Sequence, residues 1–449
     1  MRDQPATITT PAEVRRIARL FPSFRDFVDD ALFHPAWGYY STGKVRFGEG
    51  GHYDTFPLAL SPIFGRMLAE YAYRFWRRAR QPSEFEICEL GAGNGQLCLD
   101  VVIWLTERAR HERSWNWFSR AFRYRIIERS PALIARQREQ IGALSDKVTW
   151  TRADLTQRPA RGAPFASAGI VFANEVLDCL SHHKVVRRPD RTPGVVFVIP
   201  VLKRGTRVGR GQLHLVRDTN GAERAIPRRE LAKVLADDRW RARVSFQEVV
   251  LPVTAVPGLR DFIKLHYPEF FRRERKYKPY FACPAIEPLL HNAGRLYGRS
   301  ESLWIDYGDT RHFHLRAGEG QRIFAGPPRS GASVYRAPGR DDITFLVDFS
   351  VVGAAASMAG QHVRFYGRQG ELGRRSGVAL DRRARDLILR YRTLGWMLAV
   401  VGVGAEREWR QSSLTWSKGK GGRMRDDVNK AVAEFRGKRR SNFKLMILG

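Results

Sequence analysis

The chain has 449 residues and a formal net charge of +31, from 77 lysines and arginines against 46 acidic residues. A hydrophobic content of 43% is enough for a large packed core, which excludes a globally disordered chain. The positive charge favours anionic partners, so nucleic acid is kept as a candidate partner. The basic residues are scattered along the sequence, however, as is typical of a solvated surface.

The cysteines, histidines and apolar runs restrict the setting of the protein. The four cysteines form no CxxC pair, and no metal site is predicted. His182 and His183 would face opposite sides of a strand, so they do not predict a shared metal. The longest apolar runs, 351–360 and 394–405, are shorter than the ~20 residues of a membrane helix, and the N-terminus lacks the apolar core of a secretory signal. We therefore expect a soluble, cytoplasmic protein without a transmembrane segment, with a homodimer as a candidate assembly.

Helical and strand-like patterns alternate along the first half of the chain. Helical periodicity covers residues 12–32, 61–79 and 95–110, and a further helix begins with Ser130 as N-cap and Pro131. Strands are predicted at 84–90, 124–128, 148–152 and 169–173. This alternation predicts an α/β fold with a doubly wound, mostly parallel sheet.

The pattern changes near residue 200. Asn220-Gly221 predicts a hairpin turn, and a segment rich in basic and aromatic residues follows it. Strand-like runs return at 302–307 and 342–349, and the last residues form a candidate closing strand. We therefore expect four regions, which are an N-terminal helical and lid region (1–80), a cofactor-binding core (81–200), an inserted α+β substrate or partner subdomain (201–300) and a C-terminal completion of the sheet (301–449).

The segment FEICELGAGNGQL places glycines between a buried strand and a helix. Glycine permits positive φ and lets a ligand approach the backbone closely. Open α/β sheets bind ligands at this carboxyl edge of their strands. The elbow is therefore predicted to bind a cofactor, either a dinucleotide or an adenosyl group, through Gly91, Ala92, Gly93, Asn94 and Gly95.

Three acidic residues at successive strand ends favour S-adenosylmethionine over a dinucleotide. Glu89 can meet the ligand's ammonium group, whereas it would repel a pyrophosphate. Glu128 ends the second strand, where a carboxylate can accept both ribose hydroxyls. Asp154 follows the third strand and could receive the adenine amino group. The neighbouring Arg129 and Leu155 are included in the predicted cofactor site.

A set of longer motifs follows one another along the chain. In order, they are FRDFVDDALFHPAWGYY, GGHYDTFPLALSPIFG, ICELGAGNGQLCLDVV, YRIIERSPALIARQREQI, VTWTRADL, VFANEVLDCL, LWIDYG, DDITFLVDFS and NFKLMIL. This ordered set resembles the MidA family of class I methyltransferases, whose mitochondrial members methylate an arginine on a complex I subunit. The resemblance covers nearly the whole chain and implies a Rossmann-like sheet, S-adenosyl-L-methionine as cofactor, and an arginine in a protein or peptide as acceptor.

Four positions depart from the pattern of that family. They are His52, Leu58, Ser181 and Leu346, where the family usually has an acidic residue, glutamate, proline and histidine, respectively. These departures lie near the presumed acceptor, whereas the cofactor motifs match. A methyltransferase for a small metabolite or nucleic acid therefore stays open as an alternative, and a non-catalytic scaffold is a third.

The acceptor is expected beside the residues that follow the fourth strand. An arginine guanidinium stays protonated, so carboxylates must bind and orient it. We expect Glu175 to be the chief orienting group, supported by Asn174 and Asp178, and Asn174 is also a candidate for the methionine end of the cofactor. The N-terminal loop is expected to form a lid whose candidates for cofactor or acceptor contacts are Tyr39, Tyr40, Tyr53 and Thr55, although the tyrosines could instead pack the lid onto the sheet.

Overall fold

The computed structural model describes residues 5–43, 45, 55–157, 164–206, 208, 212–268, 270, 279–311, 323–325, 333–394, 420–436 and 443–449. The strands are β1 (Ala6–Thr7), β2 (Phe85–Leu90), β3 (Phe122–Glu128), β4 (Val148–Arg152), β5 (Ala166–Asn174), β6 (His183–Arg187), β7 (Pro193–Leu202), β8 (Val216–Arg217), β9 (Glu223–Ala225), β10 (Val244–Pro252), β11 (Tyr280–Ala282), β12 (Tyr297–Asp309), β13 (Ile323–Ala325), β14 (Ile343–Phe345), β15 (Val347–Asp348), β16 (Val363–Arg368) and β17 (Phe443–Leu448).

The α-helices are α1 (Pro11–Leu20), α2 (Phe24–Phe33), α3 (Phe56–Ala59), α4 (Ile63–Arg78), α5 (Gln96–His111), α6 (Arg113–Ala121), α7 (Pro131–Ile141), α8 (Arg228–Ala236), α9 (Asp238–Arg241), α10 (Leu259–His266), α11 (Ile286–Ala293), α12 (Phe349–Met358), α13 (Glu371–Ser376), α14 (Arg382–Leu394) and α15 (Lys420–Phe435). Two 3-10 helices span Gly142–Lys147 and Val253–Ala255. Within the described residues, no helix combines the length and the apolar character needed to cross a bilayer.

The elements fall into two units. The first unit comprises Met1–Val45, Leu177–Pro288 and Asp309–Ala355, and the second comprises Arg46–Val176, Leu289–Gly308 and Ala356–Gly449. The four regions expected from the sequence have different bounds and stay a prediction.

The second unit is built around one sheet with the strand order β4-β3-β2-β5-β12-β17-β16. Neighbours from β4 to β12 are parallel, whereas β17 runs antiparallel to both β12 and β16. The strand order reverses at β2, since β3 and β4 extend to one side and β5 and β12 to the other. This reversal creates a topological switch point between β2 and β5, and the predicted doubly wound, mostly parallel sheet is confirmed.

Helices cover the central strands of the sheet in the second unit. Every residue of β2 is buried, as parallel strands between two helical layers require. Helices α4 and α5 pack closely where Gly65 faces Asp100, since a Cβ at Gly65 would lie 2.3 Å from the Asp100 Cβ. This packing fixes α5, which begins directly after the glycine elbow.

The long aromatic segment between β2 and β3 contains a separate helix. The structure ends α5 at His111 and begins α6 at Arg113. Trp115 of α6 is fully buried and stacks on Tyr73 with ring centroids 4.3 Å apart, whereas Trp117 is 48% exposed. The segment is therefore part of the core on one face and solvated on the other.

Two local predictions were wrong, both at a cap. Residues 12–32 form two helices, because Pro22 has no N–H to donate and the Ser23 hydroxyl caps the second helix by accepting from the Asp26 N–H. The expected strand 342–349 forms two short strands, β14 and β15, and ends at Asp348, whose carboxylate accepts a hydrogen bond from the Ser350 N–H at the start of α12.

The first unit has a mostly antiparallel sheet with the order β1-β10-β7-β6-β11. In this sheet β1 alone runs parallel to its neighbour, β10. The predicted hairpin is present as β8 and β9, with Gly221 at φ +81° and the Asp218 carboxylate accepting from Asn220 and Ala222 N–H groups. The glycine thus takes the left-handed conformation that the turn requires.

The two tryptophans of α6 give a matched test of this packing. Replacement Trp115→Ala is expected to lower the free energy of unfolding by about 3–5 kcal/mol, because it opens a cavity beside Tyr73. Replacement Trp117→Ala should cost about 1 kcal/mol or less, since that ring is half exposed. Urea denaturation of both variants measures the difference, and similar losses would contradict the described packing.

Candidate active site

The loop after β2 is a strand-to-helix elbow with three glycines in the left-handed region. Their φ angles are +64° at Gly91, +55° at Gly93 and +86° at Gly95. Gly95 is the N-cap of α5, so the first N–H groups of that helix point toward the elbow. A Cβ at Gly91 would come within 3.2 Å of the Val176 Cγ2 atom, so the absence of a side chain keeps this backbone open.

Glu89 lies in β2 directly beneath the elbow and is buried. Its Oε2 atom accepts a hydrogen bond of 2.7 Å from the Tyr124 hydroxyl. Burial raises the pKa of Glu89 to about 7, an effect that Tyr124 opposes and that the charge of Glu128 increases. A cationic group at this position would favour the carboxylate form.

Glu128 ends β3 beside Glu89 and is also buried. Its Oε1 atom accepts from the Ser130 N–H at 2.8 Å, and its Oε2 atom accepts from the Gln137 Nε2 atom at 3.4 Å. Burial raises its pKa above the ordinary value, and the hydrogen bonds from Ser130 and Gln137 oppose that rise. The carboxylate is therefore held in one orientation at the strand end.

Gln137 is a residue of the site that the sequence analysis missed. Its Nε2 atom also donates to the Gly93 carbonyl at 3.0 Å, so one amide joins the elbow to Glu128. The side chain is completely buried, and its Oε1 atom has no hydrogen-bond partner among the described residues. Gln137 lies four residues from both Leu133 and Ile141, which are buried, and this position on the apolar face of α7 was the available signal.

Asp154 lies in the turn after β4. Its Oδ1 atom accepts from the Thr156 N–H at 2.9 Å and from the Thr156 hydroxyl at 2.6 Å, while the Arg129 Nε atom is 3.6 Å from Oδ2. The buried Asn292 donates from Nδ2 to the Leu155 carbonyl at 2.7 Å. Asn292 is thus a second support that the sequence analysis missed, and nothing in its local sequence indicated it.

Asn174 and Glu175 end β5 on the other side of the switch point. Glu175 has φ +53°, and its N–H donates to the Ile305 carbonyl at 2.9 Å. The Asn174 Nδ2 atom donates to the Glu175 Oε1 atom at 3.0 Å. The buried Oδ1 atom of Asn174 has no hydrogen-bond partner among the described residues. That oxygen can accept from a ligand bound at this strand end.

The other residues predicted to contact the cofactor or acceptor do not belong to these strand ends. Thr55 precedes α3 in the second unit, and its carbonyl accepts from the Ala59 N–H. Tyr53 lies outside the described residues. Tyr39, Tyr40 and Asp178 belong to the first unit and are buried there, with Tyr39 packed edge-on against Tyr40. Their roles toward a cofactor or acceptor stay predictions.

Tyr40 and Asp178 take part in an acidic cluster of the first unit. The Tyr40 hydroxyl donates to the Asp342 Oδ1 atom at 2.9 Å and lies 3.2 Å from the Cys179 Sγ atom. Burial raises the pKa of Asp342 to about 7, and the charge of Asp178 adds to that rise. Protonation of Asp342 near neutral pH therefore relieves its repulsion with Asp178.

The two adjacent histidines are packing residues of the first unit. His182 stacks on Phe345 with ring centroids 4.2 Å apart, and its Nδ1 atom is 2.6 Å from the Leu180 carbonyl oxygen. Burial lowers the pKa of both His182 and His183 to about 4. Across the parts of the chain that the structure covers, no group of three His, Cys, Asp or Glu side chains could hold a metal.

Four acidic side chains and one amide lie at the carboxyl edge of the parallel strands. Because β2, β3, β4 and β5 are parallel, their ends bring together Glu89, Glu128, Asp154, Asn174 and Glu175. Such an edge repels a pyrophosphate and suits a ligand with cationic groups and hydroxyls. S-adenosylmethionine carries both cationic groups and hydroxyls. The open elbow and the unpartnered oxygen of Asn174 are also compatible with this ligand.

Part of the chain is similar in sequence to curated proteins. The curated relatives include the protein arginine methyltransferase NDUFAF7 homolog, mitochondrial, of Drosophila melanogaster, 37% identical over 82 residues, and human NDUFAF7, 32% identical over 77 residues. These alignments span 18% and 17% of this chain and the same shares of the relatives.

A solved structure is similar over almost the entire chain. It is a "likely methyl transferase" from Burkholderia thailandensis bound to S-adenosyl-homocysteine. The match covers 99% of this chain and 95% of that chain, with a TM-score of 0.59 and 20% identity. It shows a shared fold.

The family of the chain is given by a match over residues 67–367. The matching family model is described as "Putative S-adenosyl-L-methionine-dependent methyltransferase", and it covers more than half of the 449 residues. S-adenosyl-L-methionine is accordingly the cofactor, in agreement with the acidic carboxyl edge. The chain belongs to this family of S-adenosyl-L-methionine-dependent methyltransferases.

Proposed function

We propose that this methyltransferase modifies an arginine guanidinium in a protein or peptide, and that Glu175 orients this acceptor. The observation that carries the proposal is the conformation of Glu175, a non-glycine residue at φ +53° on the carboxyl edge. Such a conformation costs about 1–3 kcal/mol and persists where the surroundings impose it, often at functional sites. Here the Glu175 N–H donates to the Ile305 carbonyl, and Glu175 directly follows β5 at the switch point, which supports a role for its carboxylate.

The chemistry asked of the chain is mainly binding and positioning. When bound, S-adenosylmethionine supplies a methyl group that is already activated on a sulfonium sulfur. Glu175 would accept hydrogen bonds from the cationic guanidinium, which is the strong, charge-assisted kind of bond. The Asn174 amide holds the Glu175 Oε1 atom, so the carboxylate is oriented before the acceptor arrives. This preorganisation places one guanidinium nitrogen for attack.

The names of the curated relatives support the same acceptor class. They are protein arginine methyltransferases, although the similar segments span less than a fifth of their length. The acidic carboxyl edge is consistent with a cationic acceptor despite the net charge of +31 of the whole chain.

The first experiment uses the full chain with CD3-labelled S-adenosylmethionine and a panel of arginine-containing peptides. Mass spectrometry is expected to find the label on arginine. Glu175→Gln should lower turnover about 100-fold with unchanged cofactor affinity, because only the acceptor loses its counter-charge. Glu128→Gln should weaken binding of S-adenosylhomocysteine about tenfold, and Glu139→Gln, at an exposed position of α7, is the control.

The outcomes separate the acceptor from the cofactor. Label on lysine, a small amine or nucleic acid would contradict the arginine proposal and leave the methyltransferase activity standing. Cofactor binding without any transfer, for the intact chain on every peptide tested, would instead favour the scaffold alternative.

Cofactor affinity should depend on pH through Glu89. Its pKa of about 7 means that the free protein carries a proton there below neutral pH, and a cationic ligand must displace it. The affinity should therefore rise with pH, by up to about tenfold per unit below 7, and level off above. Tyr124→Phe removes a hydrogen bond that lowers this pKa, so the profile should move to higher pH.

Calorimetric titration with S-adenosylhomocysteine measures this profile. A range from about pH 5.5 to about pH 8.5 covers the titration of a group with a pKa near 7. Tyr297→Phe is the matched control, since its hydroxyl donates to Glu86 in the same strand β2 at 2.8 Å. If both variants shift the profile equally, Glu89 is not the linked group.

The Gln137 amide should contribute to cofactor affinity through its two acceptors. Gln137→Leu leaves the Gly93 carbonyl and the Glu128 Oε2 atom without this donor, and we expect about tenfold weaker binding. Gln140→Leu, on the same helix, removes only a bond to the Gln96 side chain and should change affinity less than about twofold. Equal losses in the two variants would show that the helix, and not the amide, matters.

A further inference from the structure

Basic side chains gather at the amino edge of the parallel sheet in the second unit. Helix α4 leads into β2, helix α6 into β3, the 3-10 helix Gly142–Lys147 into β4, and helix α11 into β12. Residues just before these strands therefore lie at the edge opposite the elbow. We name as the basic edge the cations at these strand starts, which are Arg77, Arg80, Arg120, Arg123, Lys147 and Arg295.

Pairing between the strand starts makes this edge continuous. Phe85 of β2 is paired with Phe122 of β3, and Tyr124 with Val148 of β4. The Lys147 ammonium donates to the Ser119 carbonyl at 2.8 Å, which ties the start of β4 to the end of α6. With neighbouring strands ~4.8 Å apart, the five parallel strands give an edge about 19 Å long.

The charge of the basic edge is largely uncompensated. Within the described residues, none of its six cations forms an ion pair, and two of them, Arg123 and Lys147, are close enough for their charges to interact unfavourably. Exposed carboxylates nearby are Glu84 and Asp146, while Glu86 is engaged by Arg125 at 2.9 Å. Repeated positive charge without partners favours a polyanion.

Two exposed aromatic rings accompany these charges. Phe165, just before β5, is 43% exposed, and the Arg125 guanidinium lies 4.1 Å from its ring centroid. The Phe165 N–H donates to the Leu296 carbonyl at 2.8 Å, which holds the backbone of Phe165 beside the start of β12. Trp117 of α6 is 48% exposed and has the Arg113 guanidinium 5.0 Å from its ring. Flat rings with guanidinium groups are the surfaces on which unpaired bases stack.

We propose that the basic edge binds single-stranded nucleic acid, with phosphates on the arginines and bases stacked on Phe165 and Trp117. The exposed rings favour this occupant over an acidic peptide or an anionic membrane, which would use the charges alone. Strand β2 has six residues and is about 20 Å long, so this surface is remote from the elbow. The nucleic acid is therefore a bound partner and not the methyl acceptor.

Fluorescence anisotropy with a labelled single-stranded oligouridine tests the proposal on the full chain. The variant Arg80→Gln/Arg120→Gln/Arg123→Gln is expected to bind at least about tenfold more weakly, and the slope of log K against log salt should fall by about 2 for three lost phosphate contacts. Phe165→Ala should weaken binding about fivefold or more. All four positions are exposed, so circular dichroism should show intact folding.

The matched control removes the same charge from the first unit, as Arg15→Gln/Arg19→Gln/Arg229→Gln. This control should keep the affinity and the salt slope of the unmodified chain. Equal losses in both triple variants, no effect of Phe165→Ala, or tighter binding of phosphatidylserine vesicles or polyglutamate would each overturn the proposal. Transfer of a labelled methyl group to the oligonucleotide would overturn its role as a mere partner, whereas failure of arginine methylation would leave this test unaffected.

Discussion

The parallel pairing of β2 with both β3 and β5 is the constraint on which the second unit depends. Each parallel strand can be followed by another only after the chain has crossed back over a face of the sheet. All loops that leave strands therefore meet at one edge, and all segments that enter strands meet at the other. The acidic cofactor edge and the basic edge are two results of this single arrangement.

Burial at the carboxyl edge is costly, and the fold offsets that cost locally. Two carboxyl groups, Glu89 and Glu128, lie side by side with little access to water, and both have raised pKa values. Tyr124 of β3 donates a hydrogen bond to Glu89, and Gln137 of α7 donates one to Glu128. The remaining imbalance is one of charge, so the burial that makes these carboxylates costly would favour a cationic ligand at this edge.

Local patterns predicted the strands and the elbow well because the relevant signals are near in sequence. The apolar run before Gly91 and the Ser130 cap each act within a few residues, and the strand ends that carry Glu89, Glu128 and Asn174 followed from them. The caps at Ser23 and Asp348 interrupted apolar patterns that otherwise continued, so periodicity alone failed there.

The supports of the site could not be predicted in the same way. The bond from Gln137 to Gly93 spans 44 positions and that from Asn292 to Leu155 spans 137, and no spacing rule connects such residues. The acidic cluster of Tyr40, Asp178 and Asp342 likewise joins distant parts of the first unit. The glycine elbow, in contrast, is carried by one short segment of the sequence.

The two hydrogen bonds that the Gln137 amide donates restrict which residues can replace it. Both atoms that it serves are acceptors, so only a side chain with two hydrogens on one atom, at this reach, can take its place. A glutamate would add a third carboxyl group beside Glu128, and an asparagine would be one methylene too short. Gly95 is restricted as well, because a Cβ there would lie 3.3 Å from the Gln137 Cα atom and its φ is +86°.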